Sequence, residues 1–195
     1  MIGFLAKGFT NIYLKLGKIN EDEKDIFIYC FDIALSNFLN ILILIILALC
    51  TKFYIESLLF GLIFITLRGY AGGFHAKTHI GCSLLLLADS LGWVLLISLI
   101  NTSILNIFSY YFCILSIPFL VIFSPVDNIN NLLSYFQKKK YQINCFICLI
   151  FVLFVYFLML EIKKYVYAFV ISYSIINICF FMLVQIFINK IIDKI

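Results

Sequence analysis

Between Arg68 and Cys82 the chain runs Arg68-Gly69-Tyr70-Ala71-Gly72-Gly73-Phe74-His75-Ala76-Lys77-Thr78-His79-Ile80-Gly81-Cys82, and nowhere else in its 195 residues do imidazole, thiol, fixed cation and glycine fall so close together. A thiol and an imidazole suffice for nucleophilic catalysis: the imidazole takes the proton and the thiolate attacks a carbonyl. Spacing limits how they can meet. In one straight helix His75 and Cys82 would share a face but stand about 10 Å apart along the axis, too far for a proton to pass. The chain must therefore turn between them, and Gly72, Gly73 and Gly81 supply the backbone freedom. The run from Cys82 onward then reads as the start of a helix, where unpaired N–H groups and the dipole favour a thiolate. The glycine-rich turn and the helix start also offer N–H donors to an oxyanion, with Arg68 or Lys77 as a nearby positive charge. Asp89, Asn128 and Asp127 are the candidates for a third group that orients the imidazole; Asp89, seven residues past Cys82, falls on nearly the same helix face and could instead bind substrate.

Other chemistries fit less well. His75, His79 and Cys82 have ligand-like spacing, yet no Glu follows the first His as a zinc-protease helix requires, and neither metal nor cofactor is expected. Cys145-x-x-Cys148 has no second pair or histidine near it, and with Cys30, Cys50, Cys113 and Cys179 it lies in apolar sequence where a thiol packs as a small hydrophobe. Asp32 and Asp89 are carboxylates within apolar segments and raise the possibility of an aspartyl membrane protease, but the Gly-x-Gly-Asp context is missing. A small transporter or lipid-binding protein is the non-enzymatic alternative, with few paired intramembrane charges to form a path.

The elements that must position these residues belong in a bilayer: the chain is 65% hydrophobic and 12% charged, with a mean hydropathy of +1.13. Six apolar segments, roughly 33–50, 53–67, 84–100, 104–123, 143–160 and 165–188, predict an all-α bundle of about six transmembrane helices forming one domain over 1–195. The segment 53–67 spans only about 22 Å of a core about 30 Å thick, so the loop that follows sits at or just below the membrane surface. Residues 1–20 predict an interfacial amphipathic helix, with Ile2, Leu5, Phe9, Ile12, Leu16 and Ile19 on one side and Lys7, Asn11, Lys15 and Lys18 on the other. Asn20, with Glu23 three residues on, predicts the cap of the next helix, so the bundle occupies 21–195. Pro118 falls inside the fourth segment and Pro125 ends it; Asn177 and Gln185 are expected to bond between helices or subunits.

If all six segments cross, Lys7, Lys15, Lys18, Lys24, Arg68, Lys77, Lys138, Lys139, Lys140, Lys190 and Lys194 gather on one side against Lys52, Lys163 and Lys164 on the other. The positive-inside bias then puts both termini and the 68–82 loop in the cytoplasm. The net charge of +4 belongs to that face and gives no case for nucleic acid. Lys138, Lys139 and Lys140 read either as a grip on anionic lipid heads or as an attraction for an acidic peptide tail.

The string Arg68…Gly72-Gly73-Phe74-His75-Ala76-Lys77…Cys82, the six-segment hydropathy and the later Ser124-Pro125-Val126-Asp127-Asn128 resemble the accessory gene regulator B (AgrB) family of bacterial membrane cysteine endopeptidases. The resemblance covers nearly the whole chain. It implies an AgrD-like pheromone precursor as partner, His75 as base and Cys82 as nucleophile, with Arg68 and the glycines in support. It further implies capture of the acyl group by a Cys or Ser of the bound peptide, closing a thiolactone or lactone, and a homodimer.

Overall fold

The computed structural model describes residues 2–74, 76, 78–127 and 133–192. Seven α-helices follow one another with no strand among the described residues: α1 (Ile2–Lys15), α2 (Lys24–Thr51), α3 (Tyr54–Ala71), α4 (His79–Leu99), α5 (Thr102–Phe123), α6 (Tyr135–Glu161) and α7 (Tyr165–Ile192). From α2 onward each is long and apolar enough to cross a membrane, six in all. Polar punctuation sets their ends. The Asn20 N–H donates to the Glu23 carboxylate at 3.1 Å, opening a 3-10 turn over Glu21–Glu23 that runs into α2. Left-handed Lys52 and Lys163 close α2 and α6, and Ser134 caps α6 through Gln137.

Central place belongs to α7, which packs on α3, α4, α5 and α6; α2 gathers α1, α3 and α4 on the other side. The buried run of α7 from Ala168 to Gln185 forms much of the core. Trp93 of α4 is wholly buried against Phe53 and Phe60, at 6.1 Å between ring centroids in each case. Some polar groups in the apolar interior are bonded, as when the Ser109 hydroxyl donates to Tyr156 at 2.9 Å across α5 and α6, whereas Trp93 Nε1 has no hydrogen-bond partner among the described residues.

Helix α1 turns its small residues inward. Ala6 and Thr10 are fully buried, Gly3 lies beside Asp32 of α2, and Phe9 and Tyr13 meet the Phe31 ring at 5.8 and 5.4 Å. Ile12 and Leu16 stay exposed. The amphipathic pattern is therefore divided, with Ile12 and Leu16 left exposed while Ile19 is buried and Phe9 leans on Phe31, and small residues make the closest contact.

Three expectations about local structure are revised. Helix α3 continues four residues past Leu67, because Arg68-Gly69-Tyr70-Ala71 stay helical; its 18 residues reach about 27 Å. Helix α4 starts at His79 rather than Cys82, because the Thr78 side chain accepts from the Gly81 N–H at 3.1 Å. Asn177 and Gln185 bond within α7, to the Tyr173 carbonyl at 3.1 Å and the Asn189 side chain at 2.8 Å, since four-residue spacing brings those groups together on one helix face.

Alternating helix directions put the turns after α3 and α5 at the end where α2 begins and α7 finishes. Of the described cations, Lys7, Lys15, Lys18, Lys24, Arg68, Lys138, Lys139, Lys140 and Lys190 lie toward that end, against Lys52, Lys163 and Lys164 at the other.

Candidate active site

Helix α3 buries one face at helical spacing, Ser57, Phe60, Phe64, Leu67, Arg68 and Ala71, so the last turn carries a guanidinium into the bundle. Arg68 is 6% exposed. A charge so buried needs partners. It lies between two aromatic rings, its guanidinium carbon 4.9 Å from the centroid of Phe64 and 4.6 Å from that of Phe181, and it donates to the Phe74 carbonyl. Its Nε has no hydrogen-bond partner among the described residues.

Two glycines turn the chain away from α3. Gly72 sits at φ 75°, its N–H closing on the Arg68 carbonyl at 3.0 Å, and a Cβ there would lie 2.3 Å from the Val126 carbonyl oxygen. Gly73 follows at φ 121°, and a Cβ there would stand 3.2 Å from the backbone of Phe181 and Met182. Only glycine fits both the angles and the clearances. The turn is pinned by two backbone bonds, Val126 N–H to the Ala71 carbonyl at 2.9 Å and Phe74 N–H to the Phe181 carbonyl at 3.0 Å.

Cys82 is half-buried in the first turn of α4, its N–H bonded to the Thr78 carbonyl at 3.1 Å. With the Gly81 N–H held by the Thr78 hydroxyl, neither donor is directed at a bound carbonyl. Two turns further on the same face stands Asp89, one of whose carboxylate oxygens, Oδ2, is buried with no hydrogen-bond partner among the described residues. The Arg68 guanidinium is close enough to interact electrostatically with both Cys82 and Asp89. Tyr173 of α7 donates to the Asp89 main-chain carbonyl at 3.1 Å.

Arg68, Gly72, Gly73, Cys82 and Asp89 are thus assembled from α3, its following turn and α4. His75, Lys77 and Asn128 lie outside the described residues. Asp127 is otherwise engaged: its carboxylate pairs with Lys138 and its carbonyl accepts from Asn189 at 2.9 Å. Lys139 and Lys140 are exposed beside that pair. Cys145 is buried and Cys148 half-buried in α6, as packing groups. Phe64, Phe181 and Val126 were not foreseen as neighbours of the site. For Phe64 a signal existed, since it stands four residues before Arg68 on the same helix face, and for Val126 the Ser124-Pro125-Val126-Asp127-Asn128 string was one; for Phe181 the sequence carries none.

Six membrane-long helices around a buried guanidinium and a cysteine at a helix start define a multi-pass α-helical membrane protein with a polar site built into one end. The model of the family described as accessory gene regulator B (AgrB) matches residues 6–188, and the chain belongs to that family. No curated protein and no solved structure matches it. Membership carries a role in processing the agr quorum-sensing propeptide, with an AgrD-like precursor as substrate, in a family of membrane protease-like enzymes.

Proposed function

We propose that this chain is a cysteine endopeptidase that removes the acidic C-terminal tail of its AgrD-like precursor on the cytoplasmic side of the membrane. The observation that carries the reading is the placement of Cys82 in the capped first turn of α4, within electrostatic reach of a buried arginine. His75, on the strand of chain between the Gly72-Gly73 turn and Thr78, serves as the base.

In the first step His75 takes the Cys82 proton, the thiolate adds to the scissile carbonyl, and the C–N bond breaks as His75 returns the proton to the leaving amine. A thioester to Cys82 remains. A Cys thiol or Ser hydroxyl of the bound peptide then adds to that thioester, its proton passing to His75, and the C–S bond to Cys82 breaks as the ring closes. Arg68, with its Nε unpartnered, offers charge and an N–H to the oxyanion of both steps, joined by the first N–H groups of α4 that have no helical partner. Lys77 adds positive charge to the same loop, and Asp89 lies within electrostatic reach of Arg68. Burial of Arg68 and the apolar walls keep water scarce, which protects the thioester from hydrolysis. The homodimer rests on the family likeness alone.

The test is direct. Cys82→Ala should insert normally yet cleave no precursor, and intact mass of the unsubstituted chain with precursor should show an acyl adduct on Cys82 that hydroxylamine removes. Ordinary cleavage by Cys82→Ala would end the reading, and cleavage lost to a chelator and restored by zinc would replace it with a metal mechanism. His75→Ala should form no adduct at neutral pH.

A further inference from the structure

Gln185 and Asn189 take no part in the chemistry above, yet they hold the segment against which the site's glycines close. Gln185 is 3% exposed, and its side-chain N–H donates to Asn189 Oδ1 at 2.8 Å. That bond fixes which way the Asn189 amide faces. Its Nδ2 then donates to the main-chain carbonyl of Asp127 at 2.9 Å. Asp127 follows Val126, whose N–H reaches Ala71 and whose backbone packs directly on Gly72. One turn earlier on α7, Phe181 gives its carbonyl to the Phe74 N–H and its ring to Arg68. Helix α7 therefore grips both the 71–74 turn and the 124–127 segment laid beside it.

Helix packing alone does not require this arrangement. A buried amide in an apolar helix is expensive unless bonded, and an aliphatic residue at 185 would fill the same space without that demand. The Asp127 side chain already has Lys138 as its partner, so what the Asn189 bond adds is a fixed main-chain position.

We propose that Gln185 and Asn189 are positioning residues, docking the 124–127 segment on α7 so that the Gly72-Gly73 turn presents Arg68 to the cysteine in the geometry that acyl transfer needs. The consequence for catalysis rests on the cysteine-peptidase reading; the docking itself does not.

The experiment uses the full chain in lipid nanodiscs, as wild type, Asn189→Asp and Gln185→Leu. Asn189→Asp keeps the shape and loses the donor. The probe is a synthetic amphipathic peptide with an internal cysteine and an acidic tail. Both variants should form the Cys82 adduct with kcat lowered about tenfold and KM within about twofold, the signature of geometry rather than binding. Hydrogen exchange at the Phe74 and Val126 amides should quicken about tenfold while protection in the middle of α7 is kept. Wild-type exchange at those amides, or an unchanged kcat, would overturn the proposal. So would loss of protection along all of α7, which would make the pair a folding element. A wild-type chain that forms no adduct, while Asn189→Asp still quickens those two amides, would overturn the cysteine reading and uphold the docking.

Discussion

Arg68 and Gly72 show how little freedom single residues have at this site. The guanidinium must stack between two rings and bond the Phe74 carbonyl together, which a planar fork can do and a lysine ammonium cannot. Arg68→Lys should therefore lower the rate of adduct formation about tenfold or more, the equivalent of losing one charge-assisted hydrogen bond worth about 1.5–3 kcal/mol. Single-turnover kinetics measured by intact mass would read it. Glycines separate by context. Gly72→Ala puts a methyl into the Val126 carbonyl at a positive φ and should lower both thermal stability and turnover, whereas Gly69→Ala, with nothing within 4 Å and helical backbone, should leave turnover intact and add roughly 0.5–1 kcal/mol of stability. Thermal unfolding of the two side by side is the check. The Gly-Gly-x-His-Ala-Lys…Cys string was legible as a candidate site because its residue types are rare in apolar sequence. Arg68's partners were not, because Phe181 looks like any other aromatic in a membrane helix until the fold brings it back.

At the scale of elements, hydropathy located every spanning helix and most of their ends, but missed where α3 stops and where α4 starts, because those ends depend on single turn and capping groups. Thr78 is the instructive case: a polar residue inside the polar loop, it fixes α4 one turn before the cysteine. Thr78→Ala should cost about 1 kcal/mol and fray that turn, so that Cys82 alkylates faster with a small maleimide while adduct formation slows. A cap without influence on the thiol would leave both rates as they were. Helix α1 carries the parallel lesson. Ile12 and Leu16 of its apolar pattern are exposed, but the contact that holds it, through Ala6 and Thr10 against α2, is a pattern of smallness that hydropathy does not weigh. Ala6→Leu should lift α1 from α2, exposing the 16–20 connection to protease without removing the six spans.

For the molecule as a whole, the clustering of cations at the end bearing the Gly72-Gly73 turn predicts which side faces the cytoplasm. Single cysteines placed at Lys139 and at Lys164, in a chain with its other thiols except Cys82 replaced, should differ in intact cells: an impermeant maleimide should label position 164 and spare 139. The reverse result would put the site outside the cell and remove it from a newly made precursor. The order of the helices adds a matter of timing. Arg68 and Cys82 emerge from the ribosome early, but Phe181, Gln185 and Asn189 all sit on α7, after every other span has been made. Under the cysteine-peptidase proposal a half-synthesised chain would hold an idle thiol, and the site would be complete only once α7 slots home.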